Sequence, residues 1–98
     1  MFGLIGKIVA VDGEREALLG ILLEASGGAM PGCRSYIVAR DPSDTVSIWV
    51  TEVWDDQASH RASLSLPSVR EAIARGKPLI ASFAVQHVTE PLGGLGLA

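Results

Sequence analysis

The side chains best suited to chemistry lie close together in the middle of this chain. Trp54 ends an apolar run, Asp55 and Asp56 follow it, and His60 comes soon after. Glu52 precedes Trp54 on the same strand face, and Arg34 and Tyr36 stand together on the run before that. This spacing reads as strand, acidic turn, strand and capped helix, and it places a small-molecule pocket at one strand-to-helix junction. His60 is the leading general base, because imidazole titrates near neutral pH without assistance. Trp54 offers a wall for a flat aromatic ring, with its indole N–H as an orienting donor.

Each of these residues also has a plainer alternative. A stripe of Ala58, Ala62 and Leu66 would turn His60 away from the core, leaving an exposed helix residue. Trp54 could simply fill the gap between strand and helix. Tyr36 suits either a hydrogen bond to substrate or a subunit interface, and Arg34 shares its face. Glu52 reads as an orienting group or as the partner of an arginine. His87 reads as a sheet histidine, and Trp49, of opposite parity to Trp54, as an interface residue.

Metal chemistry finds little support. His60 and His87 are the only histidines, Cys33 is the only cysteine, and no H-x-x-H or C-x-x-C spacing occurs. Gly27-Gly28 follows a helix rather than opening one, so no phosphate-binding loop for a flavin or nicotinamide is present. No cofactor is therefore expected.

The elements that must hold these residues follow from periodicity. Residues 2–11 are apolar and β-branched, and read as a strand buried on both faces. Asp12 is a candidate cap for a helix with Glu14 and Glu16 in its first turn. Its apolar face is Ala17, Leu18, Ile21, Leu22 and Ala25, and Ser26-Gly27-Gly28 ends it. Cys33 to Arg40 and Thr45 to Trp54 form a hairpin around Asp41-Pro42-Ser43-Asp44. Asp55 or Asp56 caps two consecutive helical pieces, 56–65 and 67–75, because Pro67 is tolerated only at a first turn. Their inward stripe is expected to be Ala58, Ala62, Leu66, Val69 and Ile73, with Gly76 as a left-handed cap. Residues 80–89 form the last strand. Residues 1–90 then make one domain, and the Gly-rich tail 91–98 is expected to be mobile.

The order β-α-β-β-α-β is the ferredoxin-like α+β arrangement, a four-stranded antiparallel sheet with helices on one face. The chain has 98 residues, 48% of them hydrophobic and 19% charged. So short and apolar a domain predicts a homodimer, with a second subunit covering the open sheet face. A net charge of −3 without a basic cluster argues against nucleic acid. No apolar run is long enough to span a bilayer, and the first residues lack the basic start of a signal peptide. A soluble cytoplasmic protein is expected.

Several motifs resemble the antibiotic biosynthesis monooxygenase domain family, which includes cofactor-independent quinol and anthrone oxygenases. They are Pro31-Gly32-Cys33, Asp44, Glu52-Val53-Trp54-Asp55, and Leu66-Pro67-Ser68-Val69-Arg70 running on to Pro78-Leu79. The resemblance implies a dimeric α+β barrel with an apolar pocket between the sheet and helices of each subunit. It implies a small aromatic substrate and dioxygen, with His60 removing a phenolic proton and Arg70 stabilising the resulting anion. Many members carry a histidine at the position of Ser63; here His60 lies one helical turn earlier. Related heme-degrading enzymes need an axial histidine and a polar group on strand one, which this chain lacks. The same fold also serves non-catalytic ligand binding, and isomerases or lyases of small hydroxycarbonyl compounds.

Overall fold

The computed structural model describes residues 1–97. The elements are β1 (Phe2–Ala10), α1 (Arg15–Ser26), β2 (Cys33–Arg40), β3 (Ser47–Trp54), α2 (Gln57–Ser63), α3 (Pro67–Gly76), a 3-10 turn (Lys77–Leu79) and β4 (Ile80–Thr89). The sheet is antiparallel, in the order β2-β3-β1-β4, so the apolar first strand runs through its interior. This is the ferredoxin-like α+β fold, with the second helix split at Pro67 as its ring requires. Pro91–Leu97 follow β4, and Ala98 lies outside the described residues.

Register assigns the two sheet faces. Leu4, Glu52 and Tyr36 lie side by side across β1, β3 and β2, with Val88 opposite Leu4 on β4. Gly6, Val50 and Val38 form the next row, and Ile8 and Ile48 the one after. These rows face the helices. Ile8, Ala10, Ile48 and Val50 pack with Leu18 and Leu19 of α1 into the core. The other face carries Ile5, Thr51 and Ile37 in one row and Lys7, Trp49 and Ala39 in another. Pro91 closes over Gly3 at one end of that face, but among the described residues no helix covers it, and Ile37 is 56% exposed.

Several local expectations need correction. The α1 cap is Glu14 rather than Asp12, and it makes no side-chain bond to the helix. The chain instead turns through Gly13, whose φ of 80° suits glycine. Gly76 keeps a right-handed backbone, because α3 runs directly into the 3-10 turn. The hairpin turn extends to Val46, since Asp44 Oδ1 accepts from both Val46 N and Ser47 N and delays the third strand.

The most consequential correction concerns α2. Ala58 and Ala62 are exposed, whereas Ser63 is buried and Ser59 and His60 are half-buried. Three contacts set this rotation. Asp56 caps the helix by accepting from Ser59 N at 2.7 Å, and Asp55 N donates to Gly32 O at 2.8 Å. Gly32 itself has φ +83°, and a Cβ there would sit 2.6 Å from the Cβ of Ser59. Only glycine allows that approach. The small Ser59–Ser63 face therefore seats against the sheet and carries His60 inward with it.

Candidate active site

The site is built on the end of β3. Trp54 is 1% exposed, and its indole Nε1 donates to Glu52 Oε1 at 3.1 Å. The His60 ring stands edge-on to Trp54, centroids 5.5 Å apart at 70°, and Phe2 stands on another side at 5.6 Å. Nε2 of His60 is 3.9 Å from Glu52 Oε1. That is within ion-pair reach but too long for a hydrogen bond. Tyr36 faces Glu52 directly from β2.

Burial sets the electrostatics. It pushes the Glu52 carboxyl above the ordinary range, against the opposing pull of the Trp54 N–H and of His60. The Tyr36 hydroxyl is pushed well up, by burial first and then by Glu52 and Cys33. It therefore stays a neutral phenol that can donate. Burial also raises the Cys33 thiol, which donates weakly to Ser35 O at 3.6 Å. Cys33 is thus held as a thiol, not as a nucleophilic thiolate.

Two adjoining hollows meet at this group. One, of about 570 Å³, is lined by Tyr36, Glu52, His60, Phe83 and Gly6 among others. A smaller one of about 140 Å³ reaches Trp54, Ser63 and Met30. No lysine or arginine lines either; the titratable groups an occupant would meet are Glu52, His60 and the Tyr36 phenol, with His87 at the edge of the larger one. Gly6 opens the larger hollow, because it stands between Val50 and Gln86 in its row and has no side chain to fill the space.

The other predicted site residues are distributed as follows. Ser63 is buried, but its hydroxyl donates to His60 O at 2.6 Å and is used inside the helix. Arg34 is exposed and pairs with Asp55 at 2.5 Å. A β-bulge at Arg34 breaks the alternation that would have set it beside Tyr36. Arg70 is exposed on α3 and lines neither hollow. His87, also exposed, reaches the rim of the larger one. Glu52 finds Trp54 as its partner, not an arginine. Trp54 in turn spends its N–H on Glu52, with His60 against its ring and Phe2 against the ring of His60. Phe2 and Gly6 are the contributors that sequence reasoning missed; both share the parity of Leu4 and Ile8 on β1, which would have found them.

Among the described residues no three His, Cys, Asp or Glu side chains converge as a metal site would require. Among the described residues no helix is long and apolar enough to cross a membrane.

Residues 1–75 match the family model described as antibiotic biosynthesis monooxygenase. The chain belongs to that family. A structure from Chloroflexus aurantiacus J-10-fl, named for the antibiotic biosynthesis monooxygenases, is 57% identical to this chain. The match covers 99% of this chain and 98% of the other, with a TM-score of 0.95. A second, from Deinococcus radiodurans and named likewise, is 26% identical over 97% of this chain and 96% of its own, with a TM-score of 0.79. SnoaB from Streptomyces nogalater, a cofactor-independent oxygenase, shares the fold at a TM-score of 0.78 and 14% identity. That match covers 96% of this chain and 95% of SnoaB. None of the curated proteins matches the sequence. Within this antibiotic biosynthesis monooxygenase domain, the Glu52–Trp54–His60 group stands between the sheet and α2.

Proposed function

We propose that this protein is a cofactor-independent monooxygenase acting on a small dihydroxylated aromatic of the quinol or anthrone type. The observation that carries this reading is the half-buried Glu52 carboxyl, held by Trp54 and set 3.9 Å from His60 at the wall of an apolar hollow. Such a pair takes up a proton. His60 accepts it from a phenolic hydroxyl, and Glu52 offsets the positive charge that forms on the imidazole. The Tyr36 phenol, which remains protonated, donates to a ring oxygen and orients it. The electron-rich phenolate then reduces dioxygen. One oxygen atom bonds to the ring, which ends four electrons more oxidised as a hydroxyquinone, and the other leaves as water with two hydrogens from the substrate. The apolar walls keep bulk water from the anion. Arg34 and Arg70 play no part in this scheme.

The same reading includes a homodimer formed through the outer sheet face, where Ile5, Ile37 and Thr51 lie without cover. Ile37→Glu is expected to shift the protein from dimer to monomer in light scattering.

Oxygen uptake by metal-free protein against a panel of naphthoquinols and anthrones tests the chemistry, with His60→Ala in parallel. The expected result is uptake above the spontaneous rate that collapses in the variant. Uptake that survives in His60→Ala removes the histidine from its role. No uptake across the panel contradicts the oxygenase reading and favours ligand binding or isomerisation on the same fold.

A further inference from the structure

The hollow at Glu52 and His60 continues past Tyr36. A third cavity, of about 670 Å³, extends between α1, α3 and the start of β4, and Tyr36 lines all three. Its origin is visible in the sequence. The α3 residues that line it include the small Ala72, and those of α1 the large Leu18, Ile21 and Leu22. A small side chain on one helix and large ones on the other leave room between them. A Cβ at Gly76 would come within 3.2 Å of Leu18 Cδ1, so the floor is close-packed while the space above it stays open.

The walls are chemically uniform. Apart from Tyr36, Ser82 and Lys77, every lining residue is aliphatic, phenylalanine or glycine. Ile73 and Phe83 at its edge remain 51% and 56% exposed. No carboxylate lines it, and Lys77 is the one charged residue among its walls. The space is a slot between elements rather than a flat face, so a second copy of this sheet cannot enter it, whereas a narrow flexible chain can. Its size falls in the range of small-molecule sites.

We propose that this cavity is a subsite for an apolar arm, a linear alkyl or prenyl-type chain, carried by the aromatic ring of the substrate. The inference rests on the proposed function for the position of the ring, and it narrows the substrate class to rings bearing such an arm. The ring lies against Glu52 and His60, Tyr36 marks the junction, and the arm runs between α1 and α3.

Binding is measured by calorimetry with oxidised ligands, so that no turnover intervenes: 2-methyl-1,4-naphthoquinone and its homologue carrying a six-carbon alkyl arm at C3. Each buried methylene is worth up to roughly fourfold in affinity, and an imperfectly filled slot is expected to yield at least a tenfold gain from the whole arm. Ala72→Phe fills the slot from α3, and the ratio of the two affinities should fall to near one. Ala81→Leu, from the β4 wall, repeats the test where Ala72→Phe does not fold. An arm that adds no affinity, or a gain undiminished in both variants, overturns the subsite. Oxygen uptake on the reduced arm-less quinol separates the two readings. Uptake without an arm effect removes the subsite and leaves the oxygenase. An arm effect that the variants erase, without uptake, keeps the subsite and removes the oxygenase.

Discussion

Two carboxylate–indole pairs stand on opposite faces of the same strand, and the protein treats them in opposite ways. On the outer side, Trp49 Nε1 donates to Asp41 Oδ2 at 2.9 Å; on the helix side, Trp54 Nε1 donates to Glu52 Oε1 at 3.1 Å. Asp41 also accepts from the Ser43 amide and hydroxyl at 2.8 and 2.6 Å, and Lys7 stands 3.7 Å away over the Trp49 ring. These donors, the Ser43 hydroxyl foremost, hold its carboxyl far below the usual range. Glu52 has the indole alone, and burial drives it the other way. The chemical pair is the same; the number of donors decides the outcome. A carboxylate saturated with donors is a structural pin, and one held by a single donor in an apolar wall can exchange protons.

The largest expected effect breaks the pairs apart by activity. Glu52→Gln removes the charge that offsets the His60 imidazolium and is expected to lower kcat/KM for a quinol by about 10²–10³-fold, the usual range for a lost electrostatic stabiliser. Asp41→Asn should leave it unchanged per folded molecule. Next comes the backbone that holds His60 beside Glu52. Gly32→Ala forces an L-residue to φ +83° against Ser59, at a cost of about 1–3 kcal/mol. Chemical denaturation reads that loss.

Stability against pH should then separate the pairs by sign. A carboxyl held low contributes stability above its unfolded value near ~3.9, and loses it as pH falls through the folded value. Asp41→Asn should therefore lower Tm at pH 7, with the deficit narrowing below about pH 4. A carboxyl pushed up costs stability when it ionises, so Glu52→Gln should raise Tm at pH 7, and the advantage should shrink as acid protonates the native residue. A shared sign would break the comparison. The smallest effect sharpens it. Trp54→Phe removes the donor that lowers Glu52, so the acidic limb of the pH–rate profile should move to higher pH, while Trp49→Phe leaves that limb in place.

Much of this arrangement is legible in the residues. The element order, the hairpin around Asp41–Asp44 and the break at Pro67 follow from β-branched runs, turn chemistry and the proline ring. Parity alone places Trp54 and Glu52 on one face and Trp49 on the other. What periodicity misread was the rotation of α2. Its alanines look like an apolar stripe, yet the close approach of Gly32 demands the small polar Ser59 face, and that is a contact between segments distant in sequence. The same limit hid the bulge at Arg34, which depends on how β2 pairs with β3. It also hid the role of Gly6, since a missing side chain becomes a cavity only when its neighbours in the row are known.

The most direct test of the oxygenase account follows the oxygen atoms themselves. Incubation of a 1,4-naphthoquinol under ¹⁸O₂, with mass analysis of the quinone product, should show one labelled oxygen in the product. Incorporation should exceed the spontaneous background with the native protein and fall to that background with Glu52→Gln. Product that carries no label above background, or label that is insensitive to Glu52, would contradict the account.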